Sequence, residues 1–468
     1  MQNEQESFRD SVATINEKGK RNWIYAKKPF GDFYNKRTIA TFIFLLVFFG
    51  LPFIKYNGDP FFLINIVERK FILFGKIFWP QDFIIFGLGM VTFIIFIVLF
   101  TIVFGRVFCG WACPQTVFME MVFRKIEYWI EGDYTKQKAL DKQKWNQEKI
   151  VKKGSKWIIF YIISFLVGNT FLAYIIGIDE LYKIITEPLS QHKGGFTLML
   201  VFSGIFFFIF AWFREQVCLV VCPYGRLQGV MLDKDSMVVA YDYERGEPRG
   251  KLRKGEERSQ GDCIDCYQCV QVCPTGIDIR NGTQLECVNC TACIDACDNI
   301  MEKIEKPKGL IRVASENNIK NKAKTTYTRR MKAYTVVLVL LLVLEGFLIV
   351  SRTDVDAKAM RAKGTLYYTD SIGVRNIYNL KIINKTRETI PVDLKLEDIK
   401  GEIVFVGNNP VLKPSDISQS TFFIILPEES LNTHKLKVNI GVYTKGRKLQ
   451  SIKTTFIGPI NFNKKFNK

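Results

Sequence analysis

Hydrophobic positions come first in long unbroken runs and then, past about residue 350, in short alternating stretches. Five runs, at about 38–54, 83–104, 157–176, 196–213 and 333–350, have the length and apolarity of helices that span a bilayer. The stretch 61–80 is also apolar, but Glu68, Arg69, Lys70 and Lys76 interrupt it. It reads as an amphipathic or re-entrant segment at the outer face; a sixth span there would invert every later side assignment. The polar, basic residues 1–37 end at Lys36-Arg37. That leader is longer than a signal peptide's and shows no small-residue cleavage site, so the run at 38–54 reads as the first spanning helix.

In the tail, alternation at 377–383, 389–396, 402–406, 421–426, 436–443 and 449–456 predicts strands. Turn residues separate them, among them Asn384-Lys385, Lys400-Gly401, Asn408-Asn409-Pro410 and Lys445-Gly446. Six or seven short strands predict an antiparallel sandwich.

Charge orients this arrangement. The chain carries 65 Lys+Arg against 46 Asp+Glu, a net +19. With the N-terminus inside, the inner segments 1–37 and 106–156 hold 8 and 11 Lys/Arg, while the outer loops 56–82 and 178–195 hold 3 and 2. The excess therefore marks cytoplasmic loops of a membrane protein and not a nucleic-acid surface. The expected organisation is a cytoplasmic segment 1–37, a four-helix transmembrane region 38–230, a cytoplasmic ferredoxin-like domain 231–328, a fifth transmembrane helix 329–352 and an exported sandwich 353–468. The expected setting is the bacterial cytoplasmic (inner) membrane, with lipid and no nucleic acid among the partners.

All twelve cysteines lie between Cys109 and Cys297, which is not how a disulfide framework of an exported domain is laid out. Cys263-x2-Cys266-x2-Cys269-x3-Cys273-Pro274 is followed by Cys287-x2-Cys290-x2-Cys293-x3-Cys297, with Asp298 where the second proline would stand. In two-cluster ferredoxins the fourth cysteine of each run binds the other cluster. One [4Fe–4S] cluster would then use Cys263, Cys266, Cys269 and Cys297, and the second Cys287, Cys290, Cys293 and Cys273. Zinc, which favours pairs of C-x2-C, fits two tandem four-cysteine runs poorly.

The other four cysteines form two Cys-x3-Cys-Pro pairs, Cys109/Cys113 after the second apolar run and Cys218/Cys222 after the fourth. Each pair closes a two-helix hairpin at the same membrane face. Four apart, the cysteines of a pair would share one side of a helix that Pro114 or Pro223 ends or kinks. Three readings stand: soft ligands for a copper ion, above all Cu(I); thiol–disulfide chemistry; or small buried hydrophobes. Met119 and Met121 read as helix packing, His192 and His434 as surface residues, and Phe206-Phe207-Phe208 as lipid-facing or packing.

At this point the chain resembles the CcoG/FixG/RdxA family of cytochrome c oxidase accessory proteins. The resemblance is carried by Cys109-Gly-Trp-Ala-Cys113-Pro-Gln-Thr, Cys218-Leu-Val-Val-Cys222-Pro-Tyr-Gly-Arg226, Tyr241-Asp-Tyr-Glu-Arg-Gly-Glu-Pro-Arg249, Cys273-Pro-Thr-Gly-Ile-Asp-Ile-Arg280 and Cys293-Ile-Asp-Ala-Cys297-Asp. It implies a multidomain membrane protein with a five-helix α region, an inserted two-[4Fe–4S] ferredoxin-like domain and a C-terminal immunoglobulin-like β-sandwich. It also implies a role in assembling cbb3-type cytochrome c oxidase by reducing Cu(II) to Cu(I) near Cys109, Cys113, Cys218 and Cys222. The implied partners are an electron donor, oxidase assembly factors and a copper transporter or chaperone. Two alternatives remain: a quinol-linked electron-transfer subunit of the NapH type, which shares the paired C-x3-C-P design, and a non-catalytic assembly scaffold.

Overall fold

The computed structural model describes residues 14, 20–66, 70–79, 82–252, 260–322, 327–353 and 355–459, save 365, 371, 387, 408, 415 and 432. Residues 1–13 and 15–19 of the 1–37 leader, and Glu68, Arg69, Pro80 and Asn408, lie outside the described residues. Two compact units result, one of residues 1–75 with 86–343 and one of 76–85 with 344–468.

Among the described residues five helices are long and apolar enough to cross a membrane: α1 (Asp32–Gly50), α2 (Phe83–Phe104), α3 (Gln147–Ile176), α4 (Lys193–Phe208, continued by a wider turn to Phe213) and α5 (Arg329–Val350). The protein is a multi-pass membrane protein. Helix α3 begins ten residues before its apolar run, because the Asn146 side chain accepts from the Lys149 amide and caps a polar first turn. It stops at Gly177, whose φ of 88° is readily adopted only by glycine.

The first unit is held by aromatic packing and by small residues between helices. Phe123 stacks on Phe210 with centroids 4.5 Å apart and meets Phe160 edge-on at 4.8 Å. Gly168 of α3 lets α4 approach until a β-carbon there would lie 3.4 Å from the Ser203 Cα. Phe206 and Phe207 pack on this core, Phe208 is half exposed, and Met119 is buried in it.

The stretch 61–80 contributes no spanning helix among the described residues, and it is amphipathic as extended chain: Leu63–Asn65 pairs antiparallel with Lys70–Leu73, and Lys76–Phe78 is again extended. The physical reason is its period of two, with Leu63 and Asn65 buried and Ile64 between them less so. Leu63 packs beside the Gly177 cap of α3, the end of the helix bundle away from the paired cysteines.

In the second unit one sheet orders Glu402–Phe405, Ile417–Leu426, Gly373–Asn384 and Val355–Arg361, with Tyr368–Asp370 also on Gly373–Asn384. A second sheet orders Asp393–Leu396, Lys435–Thr444 and Arg447–Ile457. All these pairings are antiparallel. Tyr378, Phe422 and Phe456 fill the space between, and Tyr378 Oη donates to the Thr455 carbonyl across it at 2.9 Å. Asp82, in the same unit, is buried and receives Arg352 at 2.7 Å and Lys385 at 2.6 Å.

Candidate electron-transfer site

The eight cysteines of the tandem runs sit beneath a two-stranded ribbon, Val238–Tyr241 antiparallel to Ile311–Ala314. Each run takes the same path. Asp265 and Tyr267 flank Cys266 with φ of 53° and 57°, and Asn289 and Thr291 flank Cys290 with 52° and 65°. Asp and Asn tolerate this left-handed turn better than most residues. A short helix starts directly after each second turn, Gln268–Gln271 and Ala292–Lys303. The second helix runs on through Cys297 and Asp298, which explains the absence of proline there: it would break the helix, whereas Asp298 accepts from the Gly309 amide at 2.8 Å.

Two cavities result. Cys263, Cys266, Cys269 and Cys297 line one; Cys273, Cys287, Cys290 and Cys293 line the other, with Cys269 at the wall of both. Four thiols around each space form the donor set that a [4Fe–4S] cluster requires, and the fourth cysteine of each run lies in the cavity of the other. Both spaces are otherwise walled largely by apolar side chains such as Ile277, Ile279, Met301 and Leu310. Burial pushes the free thiols up, Cys269 and Cys287 to about 12 and Cys290 to about 11, so loading iron must displace protons from them.

This cysteine domain belongs to the same compact unit as α1, α3 and α4. Asp295 accepts from the Phe33 and Tyr34 amides at the start of α1, at 3.1 and 2.8 Å. A β-carbon on Gly110 would lie 2.5 Å from the Val288 oxygen and 2.9 Å from the Cys290 nitrogen, so only glycine fits between the two loops. Arg37 Nε donates to the Gly110 carbonyl at 2.8 Å, and Arg106 donates to the Leu285 carbonyl.

The paired cysteines are not one turn apart on a continuous helix. Cys109 lies in Val107–Trp111, but Cys113 is extended and caps the helix beginning at Pro114. Cys218 lies in a wide turn, Val217–Val221, and Cys222 caps Pro223–Met231, its sulfur accepting from the Gly225 amide at 3.4 Å. Proline starts each new helix and forbids helical geometry to the residue before it. The pairs come together closely enough for their charges to interact. Burial, then Cys113, Cys109 and Cys222, push Cys218 up to about 12; burial, opposed by Arg106, pushes Cys109 up to about 11. The Cys109 thiol donates to Gln228 Oε1 at 2.9 Å. Among the described residues no three His, Cys, Asp or Glu side chains stand ready around a single ion. A cavity bordered by Cys218, Met119 and Glu120 shares its Pro274, Thr275 and Val288 wall with the cavity of Cys273 and Cys287.

A buried ion network beside this region has no local mark in the sequence. Arg214, fully buried with φ 51°, forms a fork onto Glu127 at 2.6 and 2.9 Å, and Lys156 meets Glu131 at 2.8 Å. Arg21 joins it through Glu215 at 2.9 Å. Burial raises the Glu127 carboxyl, but Arg214 and Lys156 outweigh it and hold that group down at about 2.

Comparison with known proteins agrees with this layout. A 4Fe-4S dicluster domain family matches residues 213–316, an IG-like fold at the C-terminal of FixG matches 346–459, and a 4Fe-4S binding domain family matches 86–135. Within that last stretch only Cys109 and Cys113 are available as thiol ligands. Protein RdxB of Cereibacter sphaeroides is 35% identical over 79% of this chain and 80% of its own length. Protein RdxA of the same organism is 33% identical over 79% and 81%. The nitrogen fixation protein FixG of Rhizobium meliloti is 34% identical over 63% and 58%.

Proposed function

The chain belongs to the FixG/RdxA family of iron–sulfur electron-transfer proteins, and from that membership we propose that it reduces Cu(II) to Cu(I) during assembly of cbb3-type cytochrome oxidase. The observation that carries the reading is the contact of Gly110, inside the first Cys-x3-Cys-Pro pair, with the main chain of Cys290. It joins a set of soft membrane-face ligands directly to a cluster-binding loop.

When bound, the two clusters supply one-electron storage, each electron delivered reducing one Cu(II) to Cu(I). The protein's own residues do the rest. Cys263, Cys266, Cys269 and Cys297 would hold one cluster, and Cys273, Cys287, Cys290 and Cys293 the other. Cys109, Cys113, Cys218 and Cys222 receive the copper substrate; thiolate favours Cu(I) over Cu(II) and so assists the reduction. Two thiolates suffice for Cu(I), and each Cys-x3-Cys pair supplies two. Pro274, Thr275 and Val288 line both the cavity beside Cys218 and that of Cys273 and Cys287.

On this reading the clusters face the cytoplasm, where thiols stay reduced, and α5 carries the sandwich to the exported side. An electron donor and a copper transporter or chaperone would be the protein's partners. The experiment is anaerobic mixing of Cu(II) with the dithionite-reduced protein freed of excess reductant, scoring Cu(I) with a chelator.

A second reading, electron uptake from quinol, draws on one observation. A cavity of about 560 Å³ at the polar end of α3 is lined by Trp23, Tyr25, Trp145, Trp157 and Trp212 with Asp141. It is large enough for an aromatic headgroup. Cluster reduction by a soluble quinol, lost in Trp23→Ala, would favour it.

A further inference from the structure

We propose that Arg37 and Arg106 make the pocket of Cys273, Cys287, Cys290 and Cys293 the electron outlet, by raising the reduction potential of the cluster held there above that of its neighbour. The inference rests on the two ligand sets above, and not on copper being the acceptor.

Both arginines are 3% exposed and come from ends of the membrane helices, Arg37 from α1 and Arg106 from just past α2. Neither forms an ion pair with a carboxylate among the described residues, and Arg37 Nη2 and Arg106 Nε find no hydrogen-bond partner there. A buried guanidinium with free donors is costly unless negative charge lies close by. Four thiolates around an iron–sulfur cluster supply such charge, and more of it after reduction. The placement fits: Arg37 holds the carbonyl of Gly110, whose Cα packs against Cys290, and Arg106 holds the carbonyl of Leu285, two residues before Cys287.

The other pocket has a different balance. Its arginine, Arg280, is tied to Asp278 at 2.6 Å and to Asp265 at 2.5 Å, so its charge is already answered. Asp298 follows Cys297 directly and adds negative charge on that side. Uncompensated positive charge stabilises the reduced state of a cluster, and local charge is among the main determinants of its potential. With both clusters bound, an electron would pass downhill from the one held by Cys263 to the one held by Cys287, oxidising the first and reducing the second. Cys269, at the wall of both cavities, shortens the step. The outlet is also the pocket in main-chain contact with Gly110, so direction and position agree.

The test is a redox titration of the detergent-solubilised full chain, followed by electron paramagnetic resonance alongside iron analysis. Arg37→Gln is expected to lower the upper of the two midpoint potentials, leaving the lower one and the iron content unchanged, and Arg37→Lys to restore it. Arg106→Gln should move the same midpoint in the same direction, and is decisive where Arg37→Gln loses iron. An unchanged upper midpoint at full iron content, or a fall in the lower midpoint instead, overturns the proposal. So does loss of iron from the glutamine and lysine variants of both positions, which would make the arginines packing residues. Copper reduction that fails while the midpoint shift is present would sink the copper reading and leave this one standing.

Discussion

A β-carbon placed on Gly110 would sit 2.9 Å from the backbone nitrogen of Cys290, so these residues, 180 positions apart, meet through main chain alone. Gly110→Ala should push the cluster loop off the membrane-face turn. The cost expected for such overpacking is about 1–3 kcal/mol, read as a lower thermal midpoint. Gly154→Ala is the control: its added carbon meets nothing within 4 Å in the middle of α3. Helix propensity predicts that this change stabilises, by up to about 1 kcal/mol.

The fork between Arg214 and Glu127 makes a second prediction. Glu127→Gln leaves a fully buried guanidinium short of its partner, which costs about 3–5 kcal/mol. The dependence on pH has a definite direction. Because the folded carboxyl is held at about 2, below its usual 4.5, its stabilising contribution is complete above about pH 4.5 and is lost as pH falls toward 2. Thermal midpoints of wild type and Glu127→Gln should therefore differ most near pH 6 and converge on acidification. A gap that is constant with pH would show that the effect is packing and not charge.

Crossed ligation of the clusters gives a third. Cys263→Ala and Cys297→Ala line the same cavity and should each remove the same cluster, halving an iron content of about eight per chain. The double variant should lose no more than either single one. Full iron loss in the double variant, with each single one halved, would mean that each run binds its own cluster. Iron near twelve in the wild type would instead place a further cluster on the paired cysteines.

Much of this layout could be read from residues close together in the chain. The five apolar runs, the alternation of the tail and the tandem cysteine spacings are all local patterns, set by helix, strand and loop geometry. The strand Val355–Arg361 escaped because its inward positions include Ala357 and Ala359, too small to mark a hydrophobic alternation. That 61–80 would be extended was not read, because an average over its apolar residues hides the alternation around Ile64. Asp265 and Asn289, each one residue before the middle cysteine, were a legible sign of left-handed turns that spacing alone does not use. The contacts that organise the site were not legible. Arg37 with Gly110, Arg214 with Glu127 and Gly110 with Cys290 join residues far apart in the chain, and no local pattern announces them. The proline that was expected to end each cysteine helix instead begins the next one, which turned a helix-face argument into a capping geometry.

The central claim is that electrons stored at the cluster cysteines reach copper held by the paired cysteines. The most direct measurement follows cluster absorbance and Cu(I) formation together after Cu(II) is added anaerobically to the reduced protein. The account predicts one Cu(I) for each electron lost from the clusters in the wild type. In Cys109→Ser/Cys113→Ser, iron content should stay normal while the clusters remain reduced and Cu(I) does not form. Clusters that stay reduced in the wild type, or a variant that reduces copper as fast as the wild type does, would contradict it.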